Sequence, residues 1–273
     1  MKSVLKSALK PVAAKPFFEQ RRARRGFFRT GLAVAAGSAL TGCDALSRNE
    51  LAVDVLRSAE TLTQSVHRVL GRRAMAQEFS TADIAPVFRA NGTTMPPGAQ
   101  YAALLASNFA DWRLKVDGLV AQPLELSLDQ LQTLPARTQI TRHDCVEGWS
   151  AIGQWKGVRL SYLLNLAQIK VEAKFVVFHC LDQMEANNAG TAYYESIDLD
   201  DAFHEQTLLA WELNGRPLPV ANGAPLRARI ERQLGYKQPK YVYRVEAVAS
   251  FKQIAGGKGG YWEDQGYNWY AGI

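Results

Sequence analysis

The stretch TRHDCVEGWS at Thr141–Ser150, taken together with NGAPLR at Asn222–Arg227, holds the densest chemistry in this 273-residue chain. A single thiol, Cys145, stands among Arg142, His143, Asp144, Glu147 and Trp149. A thiolate is a soft ligand that selects transition metals over magnesium or calcium. A neighbouring cation such as Arg142 would lower the thiol pKa toward that form. Residue types alone leave other readings open. Cys145 also fits a buried structural thiol, or a disulfide with Cys180 in an oxidising compartment. His143, Cys145, His179 and Cys180 together suggest zinc, but their H-x-C and H-C spacing lacks the usual arrangement of zinc ligands.

Further blocks surround these stretches in order. WRLKVDGLV at Trp112–Val120 leads into PLELSLDQLQTLP. TRHDCVEGWSAIGQWKGVRLSYLL runs from the cysteine into a helical stretch. YYESIDLDDAF and LLAWELNGRPLP follow, and NGAPLRARIERQLGYKQPKYV closes the series. In this order and separation, over roughly Phe79 to Ile273, the chain resembles the molybdopterin-binding domain of the sulfite oxidase superfamily. It is most similar to the bacterial single-domain branch, which includes periplasmic methionine sulfoxide reductase catalytic subunits. The resemblance implies an α+β fold: a mixed sulfite-oxidase-type domain with a pterin buried across its middle.

The resemblance also implies a site. Cys145 would be the molybdenum ligand and a catalytic residue, with Arg142 and Arg89 facing an anionic or polar substrate oxygen. Asn222 and Arg227 match the asparagine and arginine that hold the pterin. Gln238, Pro239 and Lys240 occupy the segment that reaches its phosphate, which suits a lysine point charge and an arginine fork. Phe88, Arg89 and Asn91, in FRANGT, lie where an N-terminal loop touches the cofactor. Cys180 stands where the methionine sulfoxide reductase branch has a threonine, which leaves a second thiol among the cofactor-binding positions. The implied cofactor is molybdenum–molybdopterin. The implied reaction moves an oxygen atom between molybdenum and a small-molecule substrate such as an S- or N-oxide. Oxidation of a sulfite-like compound is the alternative reaction, and a non-catalytic pterin-binding lipoprotein is the alternative class. No C-x-x-C-H haem motif occurs, and the dimerisation domain of true sulfite oxidases has no counterpart before Ile273. The expectation is therefore a monomer or partner-bound subunit that exchanges electrons with a separate haem partner, in the membrane or soluble.

The first 43 residues read as an export address. ARRGFFR at Ala23–Arg29 puts Arg24 and Arg25 in the twin-arginine position. The apolar run Thr30–Leu40 is shorter than the ~20 residues a membrane-spanning helix needs, so it reads as a signal core. LTGC at Leu40–Cys43 is a lipobox, with Cys43 the lipid-bearing first residue of the mature chain. The expected location is the periplasm, lipid-anchored to the membrane after twin-arginine export. Charge agrees with this division. Residues 1–30 hold nine Lys or Arg against one Glu, and the remainder carries 23 basic and 25 acidic residues. The formal net charge of +6 thus belongs to the leader and gives no support to nucleic-acid binding. With Cys43 acylated, two cysteines remain, too few for a disulfide framework.

Residues 44–78 are expected to form an amphipathic helical linker. Leu51, Val55, Leu62, Val66 and Val69 recur at helical spacing, and Asn49 is a candidate N-cap. Such a helix would dock on the domain or lie near the lipid. Residues 79–273 form the domain itself. The pattern predicts strands at Arg113–Val120, Lys174–Cys180, Leu226–Ile230 and Tyr241–Val248, and helices at Leu160–Ala167 and Ala202–Leu209. The closing GGKGGYWEDQGYNWYAGI is no phosphate loop, because Gly259 follows Lys258 where Ser or Thr is needed. Its glycines read as a flexible loop. Its aromatics, Tyr261 to Tyr270, read as packing for the tail, with a substrate funnel as the lesser role. His67 reads as an exposed helix residue, and His204 as a local cap or packing group.

Overall fold

The computed structural model describes residues 49–71, 73–183 and 192–273. The twin-arginine pair, the apolar run and Cys43 lie outside the described residues. The chain divides into two compact units, Met1–Thr61 and Leu62–Ile273. The described part of the first is the start of helix α1 (Glu50–Gly71), where Ala52 N–H donates to Asn49 Oδ1 at 3.2 Å. That bond satisfies one of the helix's orphan donors, as the N-cap reading requires.

The second unit begins at Leu62, ahead of the boundary expected at 79, because this stretch bonds into the body. Arg68 reaches Asp198 and Asp201 at 2.7–3.0 Å. The Gln206 amide brackets the Ala76 backbone at 2.8 and 3.0 Å, and Phe79 N–H donates to Ile140 O at 2.9 Å.

Beyond α1 come helix α2 (Ala99–Ala106), strands β1 (Arg113–Gly118) and β2 (Leu124–Ser127), and helix α3 (Leu128–Thr133). Ser127 and Gln130 close a capping box on α3, fixing its first turn. Then follow β3 (Ala136–Cys145), β4 (Trp149–Arg159), α4 (Leu160–Leu166), β5 (Phe175–Gln183), β6 (Ala192–Asp198) and α5 (Leu199–Ala202). The last elements are β7 (Leu208–Leu213), β8 (Arg216–Pro217), β9 (Arg227–Arg229), β10 (Val242–Val248) and α6 (Tyr261–Asp264).

One sheet has the order β2-β1-β10-β5-β6, with β1 and β10 parallel and the other neighbours antiparallel. In β1, Leu114 and Val116 are buried while Arg113 and Lys115 are exposed, the period-two signature of a half-covered strand. The second sheet has the order β3-β4-β7-β8, with β9 added on β7. The α+β class is therefore as expected.

One expected element is corrected. The helix placed at Ala202–Leu209 is instead the short α5, which ends at Ala202. Asp198 caps it by accepting from Asp201 N–H, and the next apolar run becomes β7. LLAWEL is buried on both sides and hydrogen-bonds to β4 and β9, so pairing takes Leu208 and Leu209 out of the expected helix.

A large apolar core built on Trp112, Leu114, Val176, Phe178 and Val245 fills one side of the domain. A smaller one surrounds Trp155 with Ala210, Leu213, Leu218 and Phe88. The ends of β3, β5 and β6, and the segment leading from β9 to β10, meet at a single cavity.

Candidate active site

The hairpin β3–β4 explains where Cys145 points. Side chains alternate along a strand, and Gln139, Thr141, His143 and Cys145 face inward while Thr138 and Arg142 face outward. The turn at 146–148 closes through Gly148, whose φ of +83° a side chain would resist. Cys145 thus ends β3 at a cavity of about 160 Å³. It shares the lining with Asn91, Gly92 and Thr93 from the early loop, Asp182 from β5, and Tyr193 from β6. Gly235, Tyr236 and Gln238 to Lys240 form one wall, and Trp262 and Tyr267 another.

Burial holds the Cys145 thiol above its ordinary pKa, and Arg227 and Arg89 pull it down. Arg142 has no part in this, contrary to the expectation from adjacency. Its side chain is 55% exposed and pairs with Asp144 at 2.8 Å on the outer face of β3. Asp144 is held in turn by the Ser150 hydroxyl. Arg142→Ala should therefore leave turnover and molybdenum content within about twofold of the parent, since an exposed ion pair contributes little. A tenfold loss measured in that variant would return Arg142 to the site.

The pterin-holding candidates come together. Arg227 is fully buried; Nη1 donates to Asn222 O at 3.3 Å and Nη2 to Asn91 Oδ1 at 3.2 Å. Its guanidinium lies 5.4 Å from the Trp155 ring. No carboxylate pairs with it among the described residues, and burial beside Arg229 lowers its pKa to about 9. Lys240 donates to the carbonyls of Asn91, Thr93 and Ala221, and burial together with Arg227 lowers its pKa to about 7. Gly223, in the left-handed region at φ +116°, allows that lysine to pass, because a β-carbon there would sit 2.9 Å from its chain.

Arg89 and Phe88 stand behind this set and outside the lining. Arg89 covers the Trp149 ring at 5.2 Å, and Phe88 packs on Trp155 and His143. Cys180 is not brought to the cavity. It is fully buried in the large core opposite Val242, with its thiol pushed well up by desolvation. The residue two further along the same face of β5, Asp182, reaches the cavity instead. Cys145 and Cys180 are both free thiols, and no His, Cys, Asp or Glu cluster able to hold a metal occurs among the described residues.

His143, read as part of a weak zinc pattern, has a different place. Arg229 Nη1 donates to its Nδ1 at 3.0 Å, while Arg229 itself is tied to buried Glu231. Desolvation and the adjacent arginines hold His143 neutral, so its proton sits on Nε2. That nitrogen has no partner, and neither do Asn222 Nδ2 or Arg227 Nε. Unpaired buried donors around an uncompensated cation are costly alone and suit an anion rich in acceptors. A phosphate-bearing pterin fits that chemistry. Gly235 leaves the room His143 needs, since a β-carbon there would lie 2.6 Å from Nε2.

The family model described as "Oxidoreductase molybdopterin binding domain" matches residues 102–253. The chain belongs to that family. A protein of Azospira oryzae is 36% identical over 98% of this chain and 94% of its own length; its provisional name is protein-methionine-sulfoxide reductase subunit YedZ1. The protein-methionine-sulfoxide reductase catalytic subunit MsrP of Xanthomonas campestris is 37% identical over 53% of this chain and 47% of its own. The MsrP of Campylobacter jejuni is 34% identical over 53% of this chain and 52% of its own. Among solved structures, the sulfane dehydrogenase SoxCD of Paracoccus pantotrophus covers 51% of this chain and 39% of that one, at 23% identity and a TM-score of 0.46.

This molybdopterin-binding oxidoreductase therefore takes molybdenum–molybdopterin as its cofactor. Cys145 is the candidate protein sulfur for the metal, and Arg227, Asn222 and Lys240 are the candidate groups for the pterin. The matched range includes these residues and stops short of Asn91 on one side and Trp262 on the other. A depressed Lys240 has a measurable consequence. Bound phosphate favours the ammonium form, so cofactor-free protein should take up a proton on binding above about pH 7. Reconstitution with released cofactor should weaken above pH 7 by up to about tenfold per unit, because the charged fraction falls at that rate. A flat profile between pH 6 and 9 would show that Lys240 carries no such role.

Proposed function

We propose that the protein reduces methionine sulfoxide in peptides or proteins, with electrons delivered by a separate haem protein. The relatives' names support the reaction, and the cavity lining supports the direction. When bound, the cofactor supplies two-electron oxygen-atom exchange. The net change takes two electrons and two protons and leaves a thioether and water.

The observation that carries the choice of a neutral sulfoxide over sulfite is the charge of the wall. Asp182 and Glu147 both line the cavity, and Lys240 is engaged by carbonyls. Carboxylates facing the site disfavour a dianion. Trp262 stacks on Tyr267 at 5.2 Å between centroids, and Tyr236 meets Tyr267 edge-on at 5.3 Å. An aromatic wall of this kind suits a methyl–sulfur group, through contacts of about 0.3–1.5 kcal/mol. The tail aromatics at Trp262 and Tyr267 thus serve the mouth, the lesser role in the sequence reading. Burial raises the Asp182 carboxyl, and its Oδ1 is unpartnered.

The test is a panel with artificial donors and acceptors. Peptide methionine sulfoxide with a reduced viologen should exceed sulfite oxidation in kcat/KM by on the order of 100-fold, as expected when buried charge rejects one substrate. Preference for sulfite would overturn the reading.

The location belongs to the same proposal. Arg24, Arg25 and the lipobox ending at Cys43 support export in the folded state and lipid anchoring in the periplasm. An anchor would keep the enzyme beside a membrane haem partner. Cys43→Ala should remove lipid mass from the chain; unchanged mass and membrane partition would contradict the anchor.

A further inference from the structure

From Leu62 onward α1 belongs to the larger unit, and it docks there by its polar side. Arg68 forks onto Asp198 and Asp201, Gln64 reaches Asp198 at 3.4 Å, and His67 Nδ1 meets the Tyr270 hydroxyl at 3.1 Å. At 3.6 residues per turn, Gln64 and Arg68 share one face. Leu62, Val66 and Val69 fall on the opposite side, with Leu70 beside them. Their exposures are 65%, 42%, 81% and 82%. Leu51 and Val55 continue the same spacing earlier in the helix and are also exposed. Val66 and Leu70 share a surface hollow with Met75 and Ile273, so the apolar surface extends beyond the helix.

An ordinary surface helix turns its apolar stripe to the body and its charges to water. This one does the reverse, and a contiguous apolar face left in water marks an interaction surface. No helix among the described residues is long and apolar enough to cross a membrane. A helix with one apolar stripe lies flat in the headgroup layer, its apolar side a few ångströms deep.

We propose that the outward stripe of α1 seats in the lipid interface and sets the orientation of the enzyme on the membrane. The inference rests on the reading of Cys43 as lipid-bearing. Residues 44–49 separate that cysteine from the helix, a span of at most about 20 Å when fully extended. An acylated Cys43 would thus hold α1 within reach of the headgroups. A single acyl chain anchors only marginally, and a second apolar element completes stable attachment.

The test uses the full lipidated protein on vesicles of phosphatidylcholine and phosphatidylglycerol, with a nitroxide on Val69→Cys and, as control, on Val171→Cys, which is 95% exposed. The native thiols Cys145 and Cys180 are buried. The Val69 label should be accessible to oxygen and shielded from a water-soluble nickel chelate, while the Val171 label should show the reverse. Adding Val66→Glu and Leu70→Glu should cut the immersed fraction by about tenfold or more, since apolar burial is what holds it, and should leave cofactor content unchanged. A water-exposed Val69 label on lipidated, vesicle-bound protein overturns the inference and leaves the anchor standing. If mass spectrometry finds no lipid on Cys43, the anchor fails separately, and the label on vesicles still decides: immersed supports, exposed overturns. Dipolar broadening between labels would assign the stripe to a second copy. Shielding in native membranes alone would assign it to a membrane protein. Either result overturns the lipid assignment.

Discussion

A Cys145→Ala variant should lose turnover by roughly 1,000-fold or more, the scale seen when a central member of a reacting unit is removed, and should still fold. Cys145 ends β3 with its thiol in the cavity, where burial raises its pKa and Arg227 and Arg89 partly offset that toward the thiolate a metal requires. Removing one sulfur leaves the ten paired positions of the β3–β4 hairpin intact. Cys180→Ala provides the contrast. It leaves a void in the large core, at a cost of about 1–2 kcal/mol in stability, with turnover within a few-fold of the parent. Thermal melts alongside turnover separate the two. An active Cys145→Ala enzyme, or a Cys180→Ala enzyme that is stable but inactive, would reverse the assignments.

Arg227→Met keeps the volume of the side chain and removes its charge. Cofactor content should fall by about 10- to 100-fold, because a charge-assisted contact to the pterin is lost. The cofactor-free protein should become more stable, by about 1–3 kcal/mol, because a buried cation with no carboxylate partner disappears. Those opposite signs distinguish a binding residue from a structural one. Denaturant melts of the cofactor-free form and pterin release from the loaded form measure them. A variant that binds cofactor normally but is destabilised would make Arg227 a structural residue.

What could be read in advance follows from what is local. Asn49 as N-cap, the alternation in β1 and the apolar run of β5 depend on neighbours in the chain, so they were legible. Cys145, Arg227 and Lys240 sit within ordered blocks, and the fold gathers them around Asn91 and the cavity. Arg142 misled because adjacency in sequence is opposition in a strand: residues 142 and 145 differ by an odd number of positions and face opposite ways. Cys180 misled for a related reason, since two residues of β5 share a face but only Asp182 lies far enough along it to reach the cavity. The phase of β3 against its partner would have settled the first, and the end of β5 the second, but neither is written in residue types. Asp182, Tyr193 and Tyr236 come from three separate segments that meet only through the order of the sheets. His143 looked like a ligand by composition. Its burial against Gly235 and Arg229 shows a neutral donor held beside Arg227 and Gln238.

The most direct test of the central claim is the metal and pterin content of the folded protein, purified from a host that makes molybdopterin. About one molybdenum and one pterin per chain are expected, with both strongly reduced in Arg227→Met. Zinc in place of molybdenum, or folded protein lacking both metal and pterin, would contradict it.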